Sequence, residues 1–217
     1  MQIIWHGHAF FQIIISQGKD EKLTIAIDPP SEDIGLRLPS IEADVLLTTH
    51  SHHDHNNIKA VSGKPFLIQG PGEYEIKGIF IQGIPAHHDK NSGKERGLIT
   101  IYTIEAEEMR ICHLADFGQK ELTEEQLDKI GDCDILMIPV GGVYTISGQE
   151  ATKIISQIEP KLVIPMHYQI PKLKMKLEGV DKFLKAMGQI EILPQPKLSV
   201  KKRDLPEEET KIVVLKP

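Results

Sequence analysis

A short run of histidine and aspartate residues is the part of this chain best suited to chemistry. Positions 50 to 55 read HSHHDH, which is the pattern H-x-H-x-D-H. Imidazole nitrogen is a ligand for Zn, Fe and Ni, and a carboxylate oxygen adds charge and also suits Mn or Fe. Residues two apart in an extended chain point the same way, so His50 and His52 can hold one metal ion together. Asp54 and His55 come later and can face a second ion. The plainer alternative is a solvated, histidine-rich loop.

The elements around this run place it where a strand ends. The apolar run Asp44–Thr48 reads as a buried strand. The stretch Asn56–Val61 could open a helix with an asparagine at its cap. The junction of a strand with a helix is a favoured place for a site in an α/β protein. The position of the run therefore supports the metal-site interpretation.

Three other predicted strands end in histidine or aspartate. His87 and His88 follow the first, Asp116 the second and His167 the third. A lone histidine at a strand end is more commonly a hydrogen-bonded structural residue, so each position is weak evidence. A dinuclear centre needs several nitrogen and oxygen ligands and a bridging carboxylate. Together with the first run, these positions complete such a set.

The bulk properties fit a single domain over 1–217. The apolar fraction of 40% and charged fraction of 26% are ordinary for a globular protein. A net charge of −6 gives no basic surface, which counts against a nucleic-acid partner. The first residues lack the features of a signal peptide, and no apolar run approaches a membrane span of about 20 residues. Cys112 and Cys133 are expected to be free thiols in the cytoplasm, with Cys112 buried in a strand.

The pattern of elements changes halfway along the chain. Many short strands with a turn at Gln17–Asp20 fill the first hundred residues and predict antiparallel hairpins. Strands then alternate with helices predicted at 122–130, 147–158 and 180–187. Thr123 with Gln126, and Ser147 with Glu150, form capping boxes at the first two helices. The segment Lys201–Thr210 reads as a solvated loop. This order predicts an α/β (α+β) protein with two sheets and helices packed outside them.

The whole chain resembles hydrolases of the metallo-β-lactamase superfamily. The resemblance rests on the 50–55 pattern followed by a His, an Asp after a strand and a late His, in that order. Several short sequence segments are similar to those of the branch that includes L-ascorbate-6-phosphate lactonase and uncharacterised Zn-dependent hydrolases of the β-lactamase fold. The segments that carry it are 7–10, 43–45, 96–97, 113–116, 139–142 and 164–168. The resemblance implies a four-layer αββα sandwich with metals in the cleft between the sheet edges.

The resemblance also implies a ligand set. His50, His52 and a histidine of the 87–88 pair would hold the first ion; Asp54, His55 and His167 would hold the second; Asp116 would bridge them. Relatives commonly read His-Asp at the third motif, which selects His88 and leaves His87 in a supporting or surface position. His53 fills a variable slot. Relatives usually have Gly before the bridging Asp, where this chain has Ala115. Two Zn ions are expected, with Mn or Fe as alternatives.

Other polar residues are expected near this site in supporting roles. His8 lies in a glycine-containing turn, and Asp28 ends a strand, so each could hydrogen-bond to a ligand. His113 is expected to be a core or supporting residue. Tyr144, Thr145 and Tyr168 stand near motif ends and could touch substrate, although a packed or exposed hydroxyl is the favoured interpretation of each.

The favoured function is a metal-dependent hydrolase. Two metal ions would lower the pKa of a water towards neutrality and supply hydroxide for attack on a carbonyl or phosphorus, with Asp54 orienting it as the catalytic residue. By resemblance, the substrate is a small molecule with an ester or lactone bond, then a phosphoester. The alternatives are an iron-bound redox or dioxygenase-type protein of the same fold, a phosphodiesterase or nuclease, and a binding protein with a decayed site. No membrane partner is expected, and a homo-oligomer is allowed.

Overall fold

Alternation of apolar and polar residues builds two β-sheets in this protein. The computed structural model describes residues 1–18 and 21–217, so the turn predicted at Gln17–Asp20 lies partly outside the described residues. The strands are β1 Gln2–Trp5, β2 Phe11–Ser16, β3 Lys22–Ile27, β4 Ile41–Glu42, β5 Val45–Leu47, β6 Val61–Ser62, β7 Phe66–Ile68, β8 Gly72–Ile76, β9 Ile79–His87, β10 Leu98–Ala106, β11 Met109–His113, β12 Ile135–Pro139, β13 Leu162–Met166, β14 Leu198–Ser199 and β15 Lys211–Ile212. The α-helices are α1 Glu124–Ile130, α2 Gly148–Ile158 and α3 Val180–Ala186. Short 3-10 helices cover Glu32–Ile34, Ile58–Ala60 and Lys202–Asp204.

The first sheet has the strand order β14-β1-β2-β3-β5-β7. Strands β1 to β3 form the predicted antiparallel hairpins, and their register aligns Ile3, Ile13 and Ile25 on the buried face. Strands β3, β5 and β7 instead run parallel. The prediction of hairpins throughout this half is therefore wrong, because the connections into β5 and β7 are long enough to cross over the sheet.

The second sheet has the order β15-β13-β12-β11-β10-β9-β8. Its first four strands in sequence pair antiparallel, and β11, β12, β13 and β15 pair parallel. Every residue of β12 and β13 is buried, as expected for parallel strands covered on both faces. The capping boxes predicted for α1 and α2 are both present and satisfy free amides at the helix starts.

One hydrophobic core joins the inner faces of the two sheets, which confirms the predicted sandwich. A smaller cluster lies on the outer face of the first sheet. Its members are Phe10, Ala26, Ile41, Ala43, Leu46 and Val61. The parallel β4–β6 ribbon contributes to this cluster, so part of the outer layer here is built from a ribbon in place of an α-helix.

Two local predictions need correction. The helix expected at Asn56–Val61 is a single 3-10 turn. The side chain of Asn57 does not cap it and instead donates from Nδ2 to Pro30 O, and Val61 already belongs to β6. The loop at 201–210 is only partly solvated, since Lys202 Nζ donates to both oxygens of the buried Asp134 at 2.9 and 2.8 Å. Cys112 and Cys133 are buried free thiols, as predicted.

Candidate metal centre

The ends of six strands bring the predicted site residues together. Residues 50–55 follow β5, Asp28 ends β3, and His8 lies in the turn between β1 and β2. From the second sheet, His88 follows β9, Asp116 lies just after β11 and His167 follows β13. The carboxyl ends of parallel strands form one edge of a sheet, so the site lies where the edges of the two sheets meet.

Three histidines form the group that we call the exposed group: His50, His52 and His88. His50 Nε2 lies 3.1 Å from His52 Nδ1. The rings of His50 and His52 each lie 5.0 Å from the ring of His88. His50 and His52 are partly exposed, whereas His88 is buried.

Four residues form the group that we call the buried group: His8, Asp54, His55 and His167. His8 Nε2 lies 3.1 Å from Asp54 Oδ2 and 3.2 Å from His55 Nε2. His55 Nε2 lies 3.5 Å from the same Asp54 oxygen. The three histidines are fully buried. Sequence reasoning gave His8 only a supporting position, but its imidazole stands among the ligand-bearing side chains.

Asp116 lies between the two groups. Its Oδ2 is 3.4 Å from His88 Nε2 in the exposed group and 3.1 Å from His167 Nε2 in the buried group. Its Oδ1 is 3.3 Å from His55 Nε2. One carboxylate therefore contacts ligand atoms of both groups, which is the arrangement that a bridging ligand requires.

The unpaired polar atoms show that these side chains suit a cation. Among the described residues, five buried side-chain nitrogen or oxygen atoms have no hydrogen-bond partner. They are His8 Nδ1, His88 Nδ1, Asp116 Oδ1, and both ring nitrogens of His167. Unpaired buried polar atoms cost free energy, so such a concentration needs an explanation. Two of the five face other candidate ligand atoms: Asp116 Oδ1 lies 3.3 Å from His55 Nε2, and His167 Nε2 lies 3.1 Å from Asp116 Oδ2. Imidazole and carboxylate donors in this arrangement fit the ligand sphere of Zn, Mn or Fe.

A second layer of hydrogen bonds fixes the orientation of two histidines. Asp28 Oδ2 lies 2.9 Å from His55 Nδ1 and accepts a hydrogen bond of 2.6 Å from Thr49 Oγ1. Thr49 Oγ1 also lies 2.9 Å from His50 Nδ1. Asp28 thus supports one histidine directly and another through a hydroxyl. Sequence reasoning missed Thr49, whose signal was a hydroxyl residue directly before the first ligand.

The protonation of the candidate histidines bears on whether they can bind a cation. Burial and the neighbouring His167 lower the pKa of His8 to about 4. Burial and then His55 lower the pKa of His50 to about 3. Burial would also lower the pKa of His55, but Asp116 and Asp28 outweigh it and raise that pKa well above the usual range. Neutral imidazole is the ligand form, so binding at His55 displaces a proton.

Strained backbone positions surround the centre. His8, Asp28, Ala115 and His167 all adopt left-handed conformations, with φ between 51° and 57°. Such strain persists where the surrounding structure determines it, and it concentrates at functional sites. Ala115 accommodates its methyl group fully buried in this conformation. A Cβ on Gly141 would lie 2.1 Å from His167 O, so glycine permits the close approach of that strand end.

The remaining predicted residues lie around the centre or outside it. His87 is half-buried and outside both groups, and its backbone N–H donates to Gln119. His113 is a buried residue 3.3 Å from Ala9 O, consistent with a core role. Tyr144 is exposed near the centre, beneath Arg96. Tyr168 is a packed residue, because it is buried against Trp5 and its hydroxyl donates to Leu215 O.

Comparison with known proteins agrees with this geometry. A family model described as the β-lactamase superfamily domain matches residues 2–167. A UPF0173 metal-dependent hydrolase of Thermococcus onnurineus is 30% identical over 75% of this chain and 82% of its own.

Solved structures show the same relationship. One from Thermotoga maritima, described as a Zn-dependent hydrolase of the metallo-β-lactamase superfamily, has a TM-score of 0.77 and 32% identity, and the match covers 99% of this chain and 98% of that one. CmlA, a diiron β-hydroxylase from Streptomyces venezuelae, shares the fold alone, with a TM-score of 0.61 and 13% identity over 92% of this chain and 54% of its own. The chain therefore belongs to the β-lactamase superfamily domain family and is a metal-dependent hydrolase with the metallo-β-lactamase fold.

Proposed function

We propose that this hydrolase cleaves an ester, lactone or phosphoester bond of a small molecule with two metal ions, and that zinc is the metal. His50, His52 and His88 hold the first ion, Asp54, His55 and His167 hold the second, and Asp116 bridges them. The observation that carries the proposal is the position of Asp116, whose oxygens lie within 3.4 Å of histidines from both groups. Ions held there would lower the pKa of a water and polarise the scissile oxygen.

A cleft beside the exposed group is the proposed binding place for the substrate. It has a volume of about 490 Å³, and its walls include His88, Arg96 and Tyr144. A larger cleft of about 770 Å³ lies at the opposite ends of β11 to β13, beside Arg110 and Asp134, far from the candidate ligands. We choose the smaller cleft because a reacting bond must reach the centre.

Acidic residues outnumber basic ones in the walls of this cleft, and Arg96 is the wall residue best placed to bind an anionic group of a substrate. Lys90 is paired with Glu150, and Glu178 is paired with Lys182. Arg96 has a looser partner, with 3.9 Å between its Nη1 and Glu95 Oε2, and it stacks over Tyr144. A guanidinium in this position can bind a carboxylate or a phosphate.

Asp54 is the residue proposed to orient the attacking water. Its Oδ2 contacts His8, whereas its Oδ1 lies 3.8 Å from His53 Nδ1, which is beyond hydrogen-bond distance. Burial would raise the pKa of Asp54, but His55 and His8 outweigh it and hold that pKa well below its usual range. The carboxylate therefore stays ionised, and its Oδ1 can accept a hydrogen bond from an attacking water and orient it.

The test combines metal analysis with substrate screening. Full-length protein purified without a His-tag or chelator is expected to contain about two equivalents of metal. A screen of lactones, carboxylic esters, phosphomonoesters and phosphodiesters should then identify the bond class. Asp116→Ala and His50→Ala should abolish hydrolysis while retaining the fold by circular dichroism. His53→Ala is the matched control, because that exposed histidine neighbours the ligands without belonging to either group.

The results separate the alternatives. Metal-free protein that takes up no added zinc would overturn the proposal. Iron with oxygen-dependent turnover would favour redox chemistry. Wild-type protein that hydrolyses nothing in the screen, together with an unchanged phenotype in both alanine variants, would indicate a binding protein. Full hydrolysis by both variants would mean that the reaction does not use this centre.

We also propose that the chain is one domain over 1–217 and works in the cytoplasm. Two buried, unpaired cysteines support that compartment. Within the described residues, no helix combines the length and apolarity needed to span a membrane.

A further inference from the structure

We propose that His8 is a ligand of the ion held by the buried group, which makes that ion's coordination fuller than that of the ion in the exposed group. The inference rests on the proposed function, because it requires two ions at this centre. It adds a residue from the β1–β2 turn to the ligands that the sequence predicts.

The first argument is the spacing of three ligand atoms. His8 Nε2, Asp54 Oδ2 and His55 Nε2 form a triangle with sides of 3.1, 3.2 and 3.5 Å. Zinc binds imidazole nitrogen and carboxylate oxygen at about 2.0–2.2 Å, so the edge of its tetrahedron is about 3.3–3.6 Å. The triangle therefore has the size of one face of a zinc coordination sphere. His167, whose ligand atom lies within 4.8 Å of the other three, completes the set of four.

The second argument is the way the fold holds His8 in place. Its backbone has φ of 57°, and its carbonyl accepts hydrogen bonds from Trp5 Nε1 at 2.9 Å and from the His167 amide at 3.0 Å. The bond from the His167 amide joins the turn to the end of β13, where His167 is itself a candidate ligand. A buried imidazole at a strained, doubly anchored position is preorganised to point at the centre.

The third argument is the contrast between the two groups. With His8 and Asp116, the buried group offers five side chains and is enclosed by protein. The exposed group offers three histidines and Asp116, with His50 and His52 partly exposed. Structural zinc sites are closed, whereas catalytic sites keep a position open for water or substrate. The substrate therefore approaches the exposed group, and the buried group holds its ion more permanently.

Metal-binding measurements on His8 variants test this assignment. Stripped full-length protein is titrated with Zn²⁺ against a chromophoric chelator. His8→Gln and His8→Ala are expected to lose more than about 100-fold in affinity at one of the two sites, since even residues that only support a ligand account for about 10–100-fold. His6→Gln is the matched control, because His6 lies in the same segment and its ring contacts Gln12 instead of the centre.

A role limited to orienting Asp54 gives a different result. The side-chain amide of the introduced glutamine can donate to Asp54 as the imidazole does, so recovery of wild-type affinity in His8→Gln, but not in His8→Ala, overturns the assignment. If the variants fail to fold, a crystal structure of the zinc-loaded wild type decides the question. The expected distance from His8 Nε2 to the ion is about 2.0–2.1 Å. Two bound ions with His8 Nε2 beyond that contact overturn this inference and leave the proposed function intact, whereas failure to bind two ions removes both.

Discussion

Asp28 supports both groups of the centre, so its substitution tests the whole arrangement. It lies 2.9 Å from His55 in the buried group and reaches His50 in the exposed group through the Thr49 hydroxyl. The informative change is Asp28→Asn. Asparagine tolerates the left-handed backbone found at this position, where φ is 52°, so the turn itself should be retained.

The size of the effect follows from the bonds that are lost. The carboxylate accepts from the Thr49 amide and hydroxyl and contacts His55 Nδ1, and the side-chain amide of asparagine cannot serve all three. Loss of one hydrogen bond to a charged group costs about 1.5–3 kcal/mol, which is about 10–100-fold in an equilibrium constant. We expect a loss of about 10–100-fold for the ion in the buried group. The exposed group should lose less than about 10-fold, because its support is indirect.

Chelator competition with stepwise addition of Zn²⁺ measures both affinities. Thr49→Val removes the hydroxyl alone and should weaken the exposed group while sparing the buried one. Thr49→Ser keeps the hydroxyl and is the matched control. Unchanged affinities in Asp28→Asn would refute the reasoning, because the hydrogen bonds beneath the ligands would then contribute nothing to metal binding.

Three further changes test the fold, one at the strand ends opposite the site and two beside the site. Asp134→Asn removes a carboxylate bound to Lys202 and should lower the free energy of unfolding at pH 7 by about 2 kcal/mol. Burial would raise the pKa of Asp134, but Lys202 and its other partners outweigh burial and lower that pKa. The ionised carboxylate therefore stabilises the folded state above about pH 4, and this stabilisation is lost in acid. Urea-unfolding curves of the wild type and Asp134→Asn that stay apart in acid would contradict this. Asp89→Ala removes an acceptor of four backbone N–H groups and should lower the free energy of unfolding by about 3 kcal/mol. Amide hydrogen exchange in the loop that follows should become faster, and unchanged exchange would contradict this prediction. Gly141→Ala places a methyl 2.1 Å from His167 O and should reduce metal uptake, so full uptake would contradict the position of that histidine.

The sequence predicted most reliably what depends on neighbouring residues. The spacing of 50 to 55 fits one loop at the end of β5, and the two capping boxes formed as expected. Local reasoning failed where distant segments compete for the same residues. The helix expected at Asn56–Val61 is a single 3-10 turn, because the Asn57 side chain donates to Pro30 O and Val61 pairs in the β4–β6 ribbon.

The place of His8 could not be read from the sequence for the same physical reason. Only the register between the β1–β2 turn and the end of β13, fixed by the hydrogen bond from the His167 amide to His8 O, brings that imidazole to Asp54. The burial of Tyr168 against Trp5 likewise depends on contacts between remote parts of the chain. A motif search finds neither relation, because both join segments more than a hundred residues apart.

The ligand set crosses the interface between the two sheets, and this affects how the protein folds. His8 and residues 50–55 belong to the first sheet, whereas His88, Asp116 and His167 belong to the second. The complete set therefore exists only after both sheets have formed and docked, and the growing chain cannot assemble it before residue 167 is made. A cation bound there acts as a cross-link between the sheets and stabilises the docked state by about 2.7 kcal/mol at 100 times its dissociation constant. With the proposed ligand set, we therefore expect metal supply to set the free energy of unfolding as well as the activity.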